Sequence, residues 1–255
     1  MQKTKLLLGS FPFFFVLLTG CNTTPEVSQI PAFEDLPVHT IENTMDVGCL
    51  GSFPESRIVR SPVLTAPKGG FRAYAEVEIL SRLPQDPNAV PPCEHASRLF
   101  MRGPETPEFR PVYSLLPQMT IGGNSLWLVD WSADGQQLLF GAAEWEYEAD
   151  YYARGYWLYD TQAQAPRSIQ IEAVLNSRFG TECVMEAGLA GFTEDGKLVA
   201  VAVPVVAEDF LQTEEDDEPL PSCVPRDTYF AFDPATNQLT PLPEDFTPLI
   251  FGLRE

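Results

Sequence analysis

Residues 144–154, the aromatic segment, concentrate aromatic side chains among acids and are the part of the sequence best suited to binding chemistry. Its aromatic members are Trp145, Tyr147, Tyr151 and Tyr152. A ring held outside the core can anchor a protein partner or stack on a sugar ring, and its polar tip adds hydrogen bonds. We therefore predict a loop that binds a partner through these four residues. The structural alternative is a loop that folds back over the edge of a sheet.

Carboxylates near the aromatic segment offer a catalytic alternative. Asp130, Glu144, Glu146 and Asp150 could supply the acid and the base for glycoside hydrolysis, provided that two of them face each other at a suitable separation. The sequence contains no Gly-x-Ser-x-Gly motif, no His-Glu-x-x-His motif and no phosphate-binding loop. We therefore assign no catalytic residue and no cofactor, and we favour a non-catalytic protein, with a carbohydrate-active enzyme as the alternative.

The start of the chain is typical of a secretory signal. Lys3 and Lys5 precede a mostly apolar stretch, residues 6–18, that is too short to span a bilayer comfortably. The stretch leads into residues 18–21, Leu-Thr-Gly-Cys, which resemble the lipobox of bacterial lipoproteins. The resemblance implies cleavage before Cys21 and a diacylglycerol on its thiol.

The same resemblance implies a location in the bacterial cell envelope. Acyl chains on Cys21 would anchor the protein stably, since each buried methylene contributes about 0.8 kcal/mol. Asn22 is not the usual inner-membrane retention residue, which favours the outer membrane if the host is diderm. The formal net charge of −20 repels nucleic acid and anionic headgroups. We expect a lipid anchor, a partner among envelope proteins or glycans, and no nucleic acid.

Weak internal repeats organise the rest of the chain. Residues 127–140 contain a strand, a Ser-Ala-Asp-Gly turn and a second strand, and residues 190–201 repeat this order with Thr-Glu-Asp-Gly. Residues 63–80 form a fainter copy that turns at a Gly pair. Asp-Gly suits hairpin turns because Gly adopts positive φ without steric cost. Three copies of one strand–turn–strand unit are therefore predicted.

An aromatic strand ending at aspartate follows two of these hairpins, at residues 156–160 and 229–233, and residues 97–102 are its candidate counterpart in the first copy. The pattern resembles the TolB-like propeller repeat, a relative of the WD-type blade. The resemblance implies an all-β fold: an incomplete or small β-propeller-like array of about three four-stranded blades. A twisted β-sandwich is the alternative. The ends of the domain, residues 35–48 and 247–254, could pair to complete a partial blade, or a second copy could cover the open edge.

We predict three parts of the chain: a signal peptide at 1–20, a lipidated cysteine with a flexible tether at 21–45, and the propeller-like domain at 46–255. In a four-stranded blade, the entry to the first strand and the loop between the second and third strands lie at the same end. Four cysteines occupy such places in the first and third copies, which predicts two disulfides. The predicted pairs are Cys49–Cys93 and Cys183–Cys223.

Metal ligands are scarce in this sequence. His39 falls in the predicted tether, and His95 follows Cys93, whose expected partner is another cysteine. The acidic residues 214–218 fit no calcium-loop pattern and are typical of a solvated loop. We therefore predict no metal site.

Overall fold

The computed structural model describes residues 38–42, 44, 56–81, 93–116, 122–146, 151–180, 183–205 and 223–255, all within a compact unit that spans Leu36–Glu255. The predicted signal peptide and Cys21 lie outside the described residues. None of the described helical residues forms a helix long and apolar enough to cross a membrane.

The described chain is mostly β-strand, in agreement with the predicted all-β class. Its elements are β1 (Val38–Thr40), β2 (Arg57–Arg60), β3 (Leu64–Thr65), β4 (Arg72–Ser81), β5 (Cys93–Arg102), β6 (Arg110–Leu115), β7 (Gly122–Trp131), β8 (Gln137–Glu146), β9 (Tyr151–Asp160), β10 (Ala165–Ile169), α1 (Ile171–Phe179), β11 (Met185–Phe192), β12 (Leu198–Pro204), β13 (Thr228–Asp233), β14 (Gln238–Pro241) and β15 (Leu253–Arg254).

Three consecutive antiparallel meanders form the three predicted blades. Blade 1 contains β2 to β6, blade 2 contains β7 to β10, and blade 3 contains β11 to β14. In blade 1 the first strand is interrupted, so β2 and β3 pair one after the other with β4. The Ser61 hydroxyl accepts a hydrogen bond from the Ala75 backbone N–H at 2.9 Å and fills the gap in the ladder. The arrangement is an incomplete propeller-like array, as the repeats predicted.

The Asp-Gly turns of blades 2 and 3 share one local design. In blade 2 the Ser132 hydroxyl donates to an Asp134 oxygen at 2.6 Å, and Gly135 has a φ of 72°. The turn of blade 3 places a threonine and an aspartate in the same contact, and its glycine also has positive φ. A Cβ on Gly135 would lie 2.3 Å from the Lys68 carbonyl oxygen, so that position needs glycine for both conformation and space.

Two apolar cores bind the blades to one another. The first joins blades 1 and 2 and includes Leu64, Leu99, Trp131 and Phe140. The second joins blades 2 and 3 around helix α1, and its members include Leu158, Leu175, Phe192, Phe230 and Phe232. Alternation of apolar residues along each strand sends side chains to both faces, so that blade 2 contributes to both cores. Blade 2 is therefore the central layer of the array.

Both ends of the described domain attach to the free edge of blade 1. Strand β1 pairs in parallel with β2, and β15 pairs antiparallel with β3. Of the two possibilities for the ends of the domain, the described residues show neither end paired with the other, because β1 pairs with β2 and β15 pairs with β3. Strand β1 lies inside the range 21–45 assigned to the tether, and His39 belongs to it.

Residues 249–255, the C-terminal strap, contact all three blades in turn. Leu249 forms a β-bridge with Phe192 of blade 3. The Asp130 carboxylate of blade 2 then accepts the backbone N–H groups of Phe251 at 2.9 Å and Gly252 at 2.8 Å. Strand β15 finally joins blade 1. The C-terminal strap therefore connects all three blades through one short segment at the end of the chain.

The predicted disulfide of blade 3 is present. Cys183 and Cys223 are bonded, with 5.4 Å between their Cα atoms and a sequence separation of 40 residues. Closing a loop of this length contributes roughly 3–4 kcal/mol to stability in the chain-entropy estimate. Cys49 and the side chain of Cys93 lie outside the described residues, so the Cys49–Cys93 pair stays a prediction.

Candidate functional site

A cleft of about 430 Å³, the inter-blade cleft, opens between blades 2 and 3. Strand β9 forms one wall, the start of β11 forms the opposite wall, and the junction of β10 with α1 closes the end. The cavity lies in the size range of ligand-binding pockets. Its lining includes aromatic, amide and charged side chains, among them Tyr152, Arg154, Gln170 and Glu186.

Tyr152 is the aromatic residue of the cleft that is most open to solvent, with 55% of its surface exposed. Two nitrogens of the Arg154 guanidinium, Nε and Nη2, donate to the Tyr152 hydroxyl at 3.3 and 3.2 Å. The Arg154 Cζ atom also lies 5.6 Å from the centre of the Tyr152 ring. Arg154 is held in turn by Glu186 across the cleft, at 3.5 Å. These contacts restrain an exposed ring, which favours binding because less side-chain freedom is lost when a partner binds.

The floor of the cleft is part of the core. Tyr156 is buried and meets the Trp127 ring edge to face, with 5.9 Å between the ring centroids. Burial raises the pKa of the Tyr156 hydroxyl, so the side chain stays neutral across the physiological range. A rigid floor therefore supports the exposed Tyr152.

The aromatic segment is mostly strand, which corrects the predicted loop. Strand β8 continues to Glu146 and β9 starts at Tyr151, because the β8–β9 ladder extends to its last described pair, Glu146 with Tyr151. Tyr147 lies outside the described residues, and the side chain of Tyr151 is also outside them. The acids interleaved with the aromatics hid the strand period from sequence analysis.

Trp145 and Tyr152 are direct cross-strand partners, yet their rings have different surroundings. The Trp145 ring packs edge to face against His95, with 5.4 Å between ring centroids. It lies over Gly123, where a Cβ would come within 2.5 Å of the ring. Trp145 therefore helps to join blade 2 to blade 1, and of the four predicted binding residues the structure places Tyr152 in the cleft.

His95 belongs to a buried polar cluster at the junction of blades 1 and 2. Its Nδ1 atom lies 3.2 Å from the Asn124 carbonyl oxygen, and the Asn124 amide donates to the His95 carbonyl oxygen at 2.9 Å. The Ser97 hydroxyl donates to the Asn124 carbonyl at 3.1 Å. Burial lowers the pKa of the His95 imidazole. Across the described residues, no three histidine, cysteine or acidic side chains converge as metal ligands.

Asp130, one of the candidate catalytic acids, instead holds the C-terminal strap. Its ladder partner is Leu139, whereas Glu144 pairs with Asn124, six positions earlier on β7. That offset corresponds to about 20 Å along the strand, beyond the separation at which two carboxylates attack one glycosidic bond. Asp150 and the acidic residues 214–218 lie outside the described residues.

Helix α1 is a site element that the sequence patterns did not reveal. It lies between blades 2 and 3, and its buried residues are Ile171 and Leu175, one turn apart. The cap residue Gln170 makes no side-chain capping bond. The available signal was the single i, i+4 apolar pair, which is too short a pattern to distinguish a helix from a strand.

Comparisons with protein-family models, with curated proteins and with solved structures find no match. The function therefore has to be inferred from the cleft and from the start of the sequence.

Proposed function

We propose that this protein is a bacterial envelope lipoprotein, anchored through Cys21, whose propeller-like array is a non-catalytic interaction module for an envelope protein or glycan. The inter-blade cleft would be its binding site. The observation that carries the proposal is Tyr152, an exposed ring braced by Arg154 over a buried aromatic floor. Exposed aromatic and arginine side chains are the residues that most often dominate binding energy.

The site favours binding over catalysis. Among the described candidate acids, Asp130 is committed to the backbone N–H groups of Phe251 and Gly252. In the cleft itself, Glu186 is paired with Arg154 across the opening. A carbohydrate-active enzyme would need two carboxylates that face each other across a bound sugar. A carbohydrate-active enzyme is the second candidate function, since Glu172 and Glu186 both line the cleft.

The anchor has a direct test. Cells that express the chain are fed an alkyne-tagged fatty acid, and the purified protein is examined for the tag. We expect labelling of the wild type and none of the Cys21→Ala variant, which should move from the membrane fraction to the soluble fraction. Equal labelling of both proteins would contradict the lipoprotein assignment.

The binding role has a separate test. The lipidated protein is used to capture partners from detergent-solubilised native envelopes, with Tyr152→Ala as the test variant. The control is Leu116→Ala, which alters a residue with 75% of its surface exposed outside the cleft. We expect one captured species that the control retains and Tyr152→Ala loses. Capture that is equal with both variants would place the binding surface elsewhere.

A further inference from the structure

The C-terminal strap exposes apolar side chains that the fold does not cover. Ile250 has 80% of its surface exposed, Leu253 has 64%, and Leu249 is exposed as well. These three residues, the strap patch, are half of the six large apolar side chains that are exposed among the described residues. Single apolar side chains on a surface are ordinary, whereas a cluster of them marks contact with a protein or a membrane.

The attachment of the strap to the blades does not use the strap patch. Phe251 packs against the core between blades 2 and 3, and the backbone N–H groups of Phe251 and Gly252 donate to the Asp130 carboxylate. The contact of Leu249 with Phe192 is a backbone β-bridge. The exposed side chains of the strap are therefore available for a contact outside the domain.

The described domain begins at the same edge of blade 1 on which the strap ends. Strands β2 and β3 both pair with β4 on the side away from β5, and β1 and β15 pair with them in turn. Through this pairing Val38 of β1 lies level with Glu78 of β4, and Leu253 of β15 lies level with Arg72. Six positions on β4 correspond to about 20 Å. The segment that follows Cys21 thus reaches the domain on the edge that carries β15.

Anchoring through Cys21 would keep this edge close to a bilayer. Residues 22–37 link Cys21 to β1, and a chain of that length spans at most about 55 Å when it is fully extended. A short flexible link of this kind gives an effective concentration on the order of millimolar for the second contact. A patch of three apolar side chains, too small to bind a membrane by itself, can therefore do so when the anchor is in place.

The charges of the strap do not oppose contact with uncharged headgroups. Its two charged side chains, Arg254 and Glu255, have opposite signs. Glu255 forms an ion pair with Arg72, and Arg254 donates to the Leu128 carbonyl oxygen at 3.4 Å. The net charge of −20 on the whole chain disfavours an anionic surface. A zwitterionic bilayer fits both the apolar patch and the overall charge.

From these observations we infer that the strap patch lies on the lipid bilayer, with Ile250 and Leu253 inserted at the boundary between headgroups and acyl chains. Insertion removes their apolar surface from water, which is favourable in proportion to the area covered. This inference rests on the proposed lipid anchor and adds an orientation to it. The edge of blade 1 that carries β15 faces the membrane, and the edge formed by β6 faces away from it.

The test measures the depth of single positions in phosphatidylcholine vesicles that carry the lipidated protein. A fluorescent amino acid replaces Ile250 or, as the control, Leu116, which follows β6 at the opposite edge of blade 1. Lipids with a spin label on the acyl chain quench a fluorophore that enters the bilayer. We expect a blue-shifted emission and a loss of fluorescence at position 250, and neither effect at position 116.

A charge in the strap patch should lift the strap from the bilayer, because an ionised carboxylate is costly to bury among acyl chains. The fluorescent amino acid is placed at position 253, and Ile250→Asp is compared with Leu116→Asp. We expect Ile250→Asp to abolish quenching by spin-labelled lipid, whereas Leu116→Asp should leave it unchanged. Both substitutions alter exposed side chains, and circular dichroism checks that both variants are folded.

Flotation of the vesicles separates this inference from the anchor on which it rests. If the protein floats with the vesicles but position 250 is not quenched, or is quenched no more than position 116, the anchor stands and the orientation is rejected. If position 250 is shielded from iodide in water without being quenched by spin-labelled lipid, a second copy of the chain covers the patch and the inference is wrong. If the protein does not float, the anchor and the inference both fail.

Discussion

The two boundaries between blades differ in how completely they are filled. Between blades 1 and 2, apolar side chains such as Trp131 and Phe140 are fully buried, and the His95 cluster occupies the adjacent space. Between blades 2 and 3, Phe192 and Phe230 are also buried in the core, but the inter-blade cleft opens beside this core. In the described residues, the boundary of blades 1 and 2 consists of packed apolar and polar side chains, whereas the boundary of blades 2 and 3 combines a core with an open cavity.

The connections between blades account for this difference. Strand β7 begins at Gly122, soon after β6 ends at Leu115. Strand β10 ends at Ile169, and β11 begins only at Met185, with helix α1 between them. Helix α1 packs into the core between blades 2 and 3 through Ile171 and Leu175, and its first residues line the cleft. An added element in a repeated architecture can thus create a site without changing the repeats themselves.

The filled boundary should be the most sensitive to truncation. Trp131 is fully buried, and its indole N–H donates to the Leu64 carbonyl of blade 1 at 3.1 Å. Trp131→Ala should lower the free energy of unfolding by about 3–5 kcal/mol, since it leaves a large cavity and an unpaired carbonyl. Urea denaturation followed by circular dichroism measures the change, with Trp131→Phe as the milder control. A loss below about 1 kcal/mol would show that the blades do not depend on this core.

The disulfide of blade 3 should have the next largest effect. Replacing Cys183 and Cys223 together by serine removes the cross-link without leaving one free thiol. We expect unfolding free energy to fall by roughly 3–4 kcal/mol, mainly because the unfolded chain gains freedom. Denaturation of the double variant beside the wild type gives the value. An unchanged midpoint would contradict the assigned contribution.

Asp130 provides a pH-dependent test of the strap. Burial raises the pKa of its carboxyl, although the backbone N–H groups of Phe251, Gly252 and Trp131 donate to it. Because the folded protein binds this proton more tightly than the unfolded chain does, protonation of Asp130 stabilises the folded state. This contribution to stability is fully present below the pKa that the carboxyl has in the unfolded chain. That contribution is lost as the pH rises through the folded pKa.

Asp130→Asn removes this titration and replaces one acceptor by a donor that faces the strap. We expect a loss of about 1–2 kcal/mol, with the gap between wild type and variant widening as the pH falls from neutral towards 4. Unfolding curves of both proteins across that range would show it. A gap that narrows at acidic pH would mean that the charged form is the one favoured by folding.

Tyr152 should have the smallest effect on stability. Tyr152→Ala is expected to change the free energy of unfolding by less than about 0.5 kcal/mol, because the exposed ring covers little of the core. The same substitution is expected to weaken binding about tenfold. Thermal denaturation beside the binding assay separates the two effects. A large loss of stability would assign Tyr152 a structural role and weaken the case for the cleft.

Most of the fold can be predicted from residues that are adjacent in the sequence, whereas the errors come from contacts between residues that are distant in it. The Asp134-Gly135 turn is encoded by adjacent residues, so the hairpin could be recognised directly. The sequence offers Asp130 as a catalytic acid, because nothing near it in the chain indicates a bond to Gly252, 122 residues later. Trp145 and Tyr152 are both aromatic residues among acids, and only the packing of His95 and the presence of Arg154 give them different roles.

The most direct test of the cleft uses photo-crosslinking in native envelopes. p-Benzoylphenylalanine is placed at position 152 in the cleft or at position 116, where Leu116 is 75% exposed near the boundary of blades 1 and 2. This photoreactive group inserts into C–H bonds, so it captures a protein or a glycan. A covalent adduct from position 152 and none from position 116 is the result that an inter-blade binding site predicts. Adducts from position 116 alone, or equally from both positions, would contradict it.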